Sequence, residues 1–224
     1  KTLVNLKFFN ISQKNFFLTT KDNEINDKLS KNELLIFNKY KNKIYYKLLF
    51  YNNSNHIFVV GTILKKKGLN ISLCLIGVEK KNIKGTKLLS KINDINNYYP
   101  NLIKLTKIQK HKDLNFFFNK FDLHVYPSIC ESFGIIILET IASSLPIICS
   151  DFSVFKEILK KNTLYFDPLD QTDIANKILH YIENHKLRKK NTIKLRNVAK
   201  KFNWKKSSNL TLNMLLEIVK NRYN

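Results

Sequence analysis

Residues 122–150 read DLHVYPSICESFGIIILETIASSLPIICS, and three patterns succeed one another within them. A short apolar run at 123–126 gives way to a Pro-Ser loop that ends at Glu131. A helical pattern follows over 134–144, starting near Ser132 or Phe133, and a second β-rich run occupies 146–150. Strand, loop, helix and strand of these lengths make one βαβ unit, because parallel strands need a crossover between them. Two carboxylates interrupt the apolar text: Glu131 before Ser-Phe-Gly, and Glu139 among isoleucines and leucine. A charged group in such a segment costs several kcal/mol unless something pairs with it.

The same alternation extends in both directions. β-rich runs are expected at 56–61 (HIFVVG), 71–77 (ISLCLIG), 102–106 and 164–166, with helices over 83–95, 111–121, 152–160 and 172–184. Asp170, with Asp173 three residues on, resembles a capped helix start. Alternating strands and helices predict an α/β fold, a Rossmann-like, mostly parallel sheet with helices on both faces. The domain is expected over 56–204, closed by a C-terminal helix over 205–224. Residues 1–55 read as an N-terminal segment, a remnant or linker, in which 33–51 has a helical pattern. The chain opens at Lys1 rather than Met, so a piece of a longer product is the expectation.

Composition narrows the function. With 44% apolar and 12% aromatic residues in 224, the chain has ample material for a core. The formal charge of +22 is almost all lysine, with arginine only at Arg188, Arg196 and Arg222. Base and phosphate readers favour the arginine fork, and the joint abundance of Lys, Asn, Ile, Phe and Tyr is that of A- and T-rich codons. Specific nucleic-acid binding is therefore not expected. Peripheral association with an anionic membrane is the better use of the lysines, each contributing about 1 kcal/mol near such a surface. The three cysteines include no C-x-x-C pair, and the five histidines show no ligand spacing. Neither a metal nor a cofactor is expected, and the cysteine usage fits a reducing, cytoplasmic compartment.

A helix start at the carboxyl edge of a parallel sheet presents free N–H groups and partial positive charge to an anion, and Gly134 admits close backbone approach. Glu139 lies eight residues beyond Glu131, about 12 Å along a continuous helix. Carboxylates at both ends with a phosphate site between them match the layout of a nucleotide sugar: sugar hydroxyls, diphosphate, ribose hydroxyls.

The segment 122–158 resembles the donor-binding half of the retaining GT-B glycosyltransferases, the glycosyl transferases group 1. Pro127, Ser128, Glu131, Ser132, Phe133, Gly134, Glu139, Ala142, Pro146 and Glu157 fall in register with that family's pattern. LYFDPLD at 164–170 and KKFNW at 200–204 follow its order. Upstream, VGTILKKKG at 60–68 resembles the family's Val-Gly-Arg-Leu-x-x-x-Lys-Gly loop, with Thr62 in place of the arginine; Ser144 replaces a usual glycine. The resemblance implies the C-terminal, donor-binding domain of a GT-B enzyme, lacking most of its N-terminal domain. It also implies metal-independent transfer, with retention, from a nucleotide-diphospho-sugar to a glycan or lipid-linked acceptor. Glu131 and Lys67 take catalytic roles, the first on the sugar and the second on the diphosphate. Gly61, Thr62, Lys67, Ser132, Phe133, Gly134 and Glu139 bind donor, Glu139 at the ribose. One departure is structural. Only Leu69 and Asn70 separate Gly68 from the run at 71–77, too few for a parallel crossover. Either the crossover helix is lost or that run pairs differently. Two rival functions are a degenerate GT-B module without turnover and a basic binder of polyanions or membrane surfaces.

Overall fold

The computed structural model describes residues 46–51, 56–78, 80–107 and 109–223. Among these residues six strands form one sheet: β1 (Tyr46–Tyr51), β2 (Ile71–Ile76), β3 (Ile103–Thr106), β4 (Leu123–Tyr126), β5 (Ile147–Ser150) and β6 (Tyr165–Phe166). Their spatial order is β3-β2-β1-β4-β5-β6, and every neighbouring pair is parallel. The chain builds outward from β1 to β3, then returns to lay β4 on the other side of β1. The order therefore reverses between β1 and β4, where doubly wound sheets open a crevice beyond the strand ends.

The helices are α1 (His56–Lys66), α2 (Lys87–Tyr98), α3 (Leu114–Phe118), α4 (Ile135–Ala142), α5 (Ser153–Leu159), α6 (Gln171–Glu183), α7 (His185–Ala199) and α8 (Trp204–Tyr223). Alternate strand residues choose their partners by face. Leu48, Phe50, Leu73, Leu75, Leu123 and Val125 share a core with Ile57, Val60 and Leu64 of α1, Ile92 of α2, and Ile174 and Ile178 of α6. On the opposite face Leu49, Cys74 and Ile76 meet Phe117 and Phe118 of α3. Tyr126, Ile147 and Cys149 meet Ile137 and Ile141 of α4, Phe155 of α5 and Leu195 of α7. Both faces are covered, which is why the β2 run ISLCLI is buried at every position. Asp122 ties the sheet's lower edge, its carboxylate accepting from the Lys47 amide at 2.7 Å. Asp170 caps α6 as expected, accepting from the amides of Thr172 and Asp173 at 2.7 and 3.1 Å.

The N-terminal part corrects the sequence reading. Residues 46–51, placed there in a helix of the N-terminal segment, form the central strand β1, so the domain starts before residue 56. HIFVVG, expected as a strand, is the first half of α1. That helix is the right-sized crossover between β1 and β2, and nothing is missing after Gly68. Gly68 instead ends α1. It sits at φ 82°, its amide bonds Lys65 O at 2.9 Å, and the Leu69 amide bonds Leu64 O at 3.1 Å. This is a Schellman stop, with Lys65 and Lys66 in the last turn where cations complement the helix dipole.

At the other end, the residues of α8 from Trp204 to residue 221 are all exposed. Leu210, Leu212, Met214, Leu215, Leu216, Ile218 and Val219 are each half-exposed or more. Among the described residues, no helix is long and apolar enough to cross a membrane.

Candidate functional site

The site is built at the carboxyl ends of β1 and β4. Residues 52–55, which follow β1 in the sequence, lie outside the described residues. The loop after β4 runs from Pro127 to Gly134 and carries the carboxylate expected to matter most. Glu131 is half-buried, and its Oε1 accepts a hydrogen bond from the Tyr126 hydroxyl. Ser128 Oγ lies 3.3 Å from the same oxygen and 3.2 Å from the Cys130 carbonyl. Tyr126 is itself fixed, 1% exposed, with its ring edge-on to His124 and to Phe155, each at 5.6 Å. A strand-end tyrosine therefore holds one oxygen of Glu131.

Helix α4 begins at Ile135, later than the sequence suggested, and Gly134 is its N-cap at φ 79° and ψ 53°. Glycine is required here twice over. A side chain would be strained at that φ, and a Cβ would stand 3.2 Å from Phe155 Cε1. Having no side chain, the cap leaves the Ile135 and Ile136 amides open, while the Ile137 amide donates to the Gly134 carbonyl at 2.9 Å; no acidic residue in that turn offsets the dipole. The helix start is thus free to receive an anion. Ser132 and Phe133 are exposed beside it, and the Phe133 ring packs edge-on against Phe202 at 5.9 Å.

Glu139 sits on the second turn of α4, on the order of 6 Å from the helix start at about 1.5 Å per residue. It is 5% exposed, and burial pushes its carboxyl up from 4.5 to about 7. His111, on a short 3-10 turn (His111–Asp113) before α3, places Nδ1 3.3 Å from Glu139 Oε1. The neighbouring His124 plays a different part. It is wholly buried, with Nδ1 2.8 Å from Thr140 Oγ1, and burial lowers its pKa to about 3. The Thr140 hydroxyl donates to the Ile136 carbonyl at 2.7 Å, so the His124 ring donates to Thr140 and stays neutral. This bond ties β4 to α4.

Ser132, Phe133 and Gly134 are brought together with Glu131 and Glu139 on one loop and helix. Gly61, Thr62 and Lys67 are not. Gly61 lies inside α1, where a Cβ would come within 2.8 Å of Leu73 Cδ1, so the glycine seats the helix on the sheet. Thr62 Oγ1 donates to the Phe58 carbonyl one turn back at 2.9 Å. Lys67 follows the end of α1, at the edge where β2 begins, opposite the carboxyl edge that carries Glu131. The assignment of these three to the donor, and of Lys67 to its diphosphate, is corrected accordingly. Glu157 is exposed on α5. Tyr126 and His111 were not singled out in the sequence. The available signals were a tyrosine at the end of an apolar strand and a histidine at a helix entrance. No cluster of three or more His, Cys, Asp or Glu side chains among the described residues is arranged to hold a metal ion.

Known proteins resemble this chain in sequence and in fold. Residues 27–198 match the family model described as glycosyl transferases group 1. An uncharacterized glycosyltransferase of Methanocaldococcus jannaschii is 29% identical over 194 residues, which are 82% of this chain and 53% of that protein. The O-antigen chain mannosyltransferase B of Escherichia coli is 30% identical over 102 residues, 46% of this chain and 27% of that one. Among solved structures, S. aureus TarM, in complex with fondaparinux, alpha-GlcNAc-glycerol and UDP, superposes with a TM-score of 0.62 at 19% identity. That match covers 83% of this chain and 42% of TarM, and it establishes likeness of fold. The chain spans about half the length, or less, of the curated relatives it matches.

Proposed function

The chain belongs to the glycosyl transferases group 1, and from that premise we propose that it binds the nucleotide-diphospho-sugar donor of a retaining, metal-independent sugar transfer. The observation that carries the reading is the uncapped start of α4 at the point of strand reversal, flanked by Glu131 and Glu139. The diphosphate lies against the first-turn amides. Glu131 accepts from the sugar hydroxyls through the oxygen that Tyr126 and Ser128 leave open. Glu139 accepts from the ribose hydroxyls. In the reaction the bond from the anomeric carbon to the diphosphate oxygen breaks, and an acceptor hydroxyl oxygen bonds that carbon on the same face. The hydroxyl proton leaves with the departing diphosphate, whose charge the preorganised amides stabilise. The acceptor is a glycan or a lipid-linked sugar. The E. coli relative, an O-antigen chain mannosyltransferase, supports polysaccharide assembly as the setting. The work is done in the cytoplasm, and the lysine excess draws the protein to the inner membrane face.

The test is calorimetry over a panel of UDP-, GDP-, ADP-, CDP- and dTDP-sugars, repeated with Glu131→Ala and Glu139→Ala. Glu139→Ala should weaken the bare nucleoside diphosphate by about 1.5–3 kcal/mol, the range for hydrogen bonds to a charged group. Glu131→Ala should leave the bare nucleotide nearly unaffected and weaken the nucleotide sugar. Equal losses on both ligands with Glu131→Ala would remove the sugar role. Silence across the whole panel would remove the donor reading.

A further inference from the structure

We propose that His111 is a positioning residue for Glu139, and that its proton keeps that carboxylate ready to accept the donor's ribose hydroxyls. The inference rests on the assignment of Glu139 to the ribose. It concerns a residue outside the motif that carries the family resemblance.

The geometry comes from two separate parts of the chain. His111 stands after β3, at the carboxyl edge, where the 3-10 turn leads into α3. Helix α3 packs on α4 and brings the imidazole over its second turn, with Nδ1 3.3 Å from Glu139 Oε1. The histidine side chain is 32% exposed and the glutamate side chain 7%. The exposed part of the ring is not its Nε2, which is buried, so Nδ1 is the nitrogen turned to the carboxylate.

Other groups around α4 do not substitute for this contact. Helix α3, LNFFF, carries no titratable side chain. From β4 comes His124, held neutral by burial and engaged with Thr140. From β5 comes Cys149, whose thiol burial keeps protonated. On the 3-10 turn Lys112 and Asp113 accompany His111. The part of α7 that packs on α4 through Leu195 and Ala199 carries Lys194 and Arg196.

The chemistry follows from what a ribose asks of a carboxylate. Vicinal hydroxyls donate best to an ionised carboxylate, yet burial favours the protonated acid, whose midpoint here is about 7. An imidazole Nδ1–H directed at Oε1 opposes that preference, because a donor to the charged form favours it. Above pH 8 the carboxylate is ionised without help. Near pH 6.5 it stays ionised to the extent that a donor stands against it, and His111 Nδ1 is the group placed at Oε1.

The experiment measures binding of UDP, GDP, ADP, CDP and dTDP from pH 5.5 to 8.5, and follows the tightest binder in wild type, His111→Gln and Glu139→Gln. Affinities are compared as variant-to-wild-type ratios at each pH, so that titration of the ligand's own phosphate cancels. His111→Gln should bind roughly 3- to 10-fold more weakly near pH 6.5, as expected of one charge-assisted contact, and converge on wild type by pH 8.5. Glu139→Gln should be weak throughout, and its ratio to wild type should fall further as pH rises. A histidine with only a structural role would lower affinity by the same factor at every pH. That outcome overturns the proposal, as does no change at any pH. If wild type binds none of the five, the donor reading fails and takes this inference with it. A flat ratio with normal wild-type binding removes only His111.

Discussion

Replacing Glu139 by glutamine should make the protein more stable at alkaline pH while weakening its hold on nucleotide. The carboxyl is buried without a compensating hydrogen bond from the backbone, and its proton is held to about pH 7 rather than 4.5. At about 1.4 kcal/mol per tenfold change in proton affinity, keeping it ionised costs the fold about 3 kcal/mol above pH 7. Because the folded chain binds this proton more tightly than the unfolded one, the group's contribution is fully present below pH 4.5. It is lost as the pH rises through 7. Glutamine has the same shape and nothing to ionise, so the pH-dependent part vanishes. Its own amide leaves a polar group to satisfy, which returns about 1 kcal/mol, and the nearby imidazole reduces the amplitude further. Glu139→Gln should therefore be neutral or about 1 kcal/mol less stable than wild type at pH 5. At pH 8 it should be about 1–2 kcal/mol more stable. Urea unfolding at the two pH values reads this as the difference between the variants, so other titrating groups drop out. A variant-to-wild-type difference that is the same at pH 5 and pH 8 would refute the reasoning, since the carboxyl would then be ionising freely in the folded protein.

Three further outcomes follow from the geometry. Lys67→Ala should leave nucleotide affinity within twofold of wild type, because Lys67 lies at the opposite edge of the sheet; a tenfold loss by calorimetry would restore it to the donor site. Gly134→Ala should cost about 1–3 kcal/mol in urea unfolding, since alanine at φ 79° is strained and its Cβ meets Phe155 at 3.2 Å. The 224-residue chain should bind its best donor yet transfer sugar slowly or not at all to a crude glycan extract. The apolar residues of α8 are exposed, and the chain covers about half of its relatives. Robust turnover by this chain would show that an acceptor site is already present.

What the sequence made legible, and what it hid, divides along one physical line. The β4–α4–β5 unit was readable because its elements are short, its periods change cleanly, and the strand β4 matches the expected span residue for residue. The run HIFVVG was misread because β-branched residues in a short apolar run do not distinguish a buried helix from a buried strand. Its helical signal was nonetheless present. Ile57, Val60, Gly61 and Leu64 stand at the spacing of one helix face and are all buried, while Val59 between them is 46% exposed. Reading Lys-Gly as a ligand loop displaced the simpler meaning of a glycine after lysines, a helix stop. That one choice moved the first strand by ten residues and made the crossover helix disappear. At the site, Glu131 and Glu139 were legible because a charge among apolar residues demands a partner. The partners were not, because Tyr126 reaches Glu131 around a loop and His111 reaches Glu139 from the turn that leads into α3. A sequence announces which groups need satisfying. Which side chain satisfies them is decided by the strand order, and in this sheet it is the return of β4 beside β1 that sets Glu139 beneath the turn carrying His111.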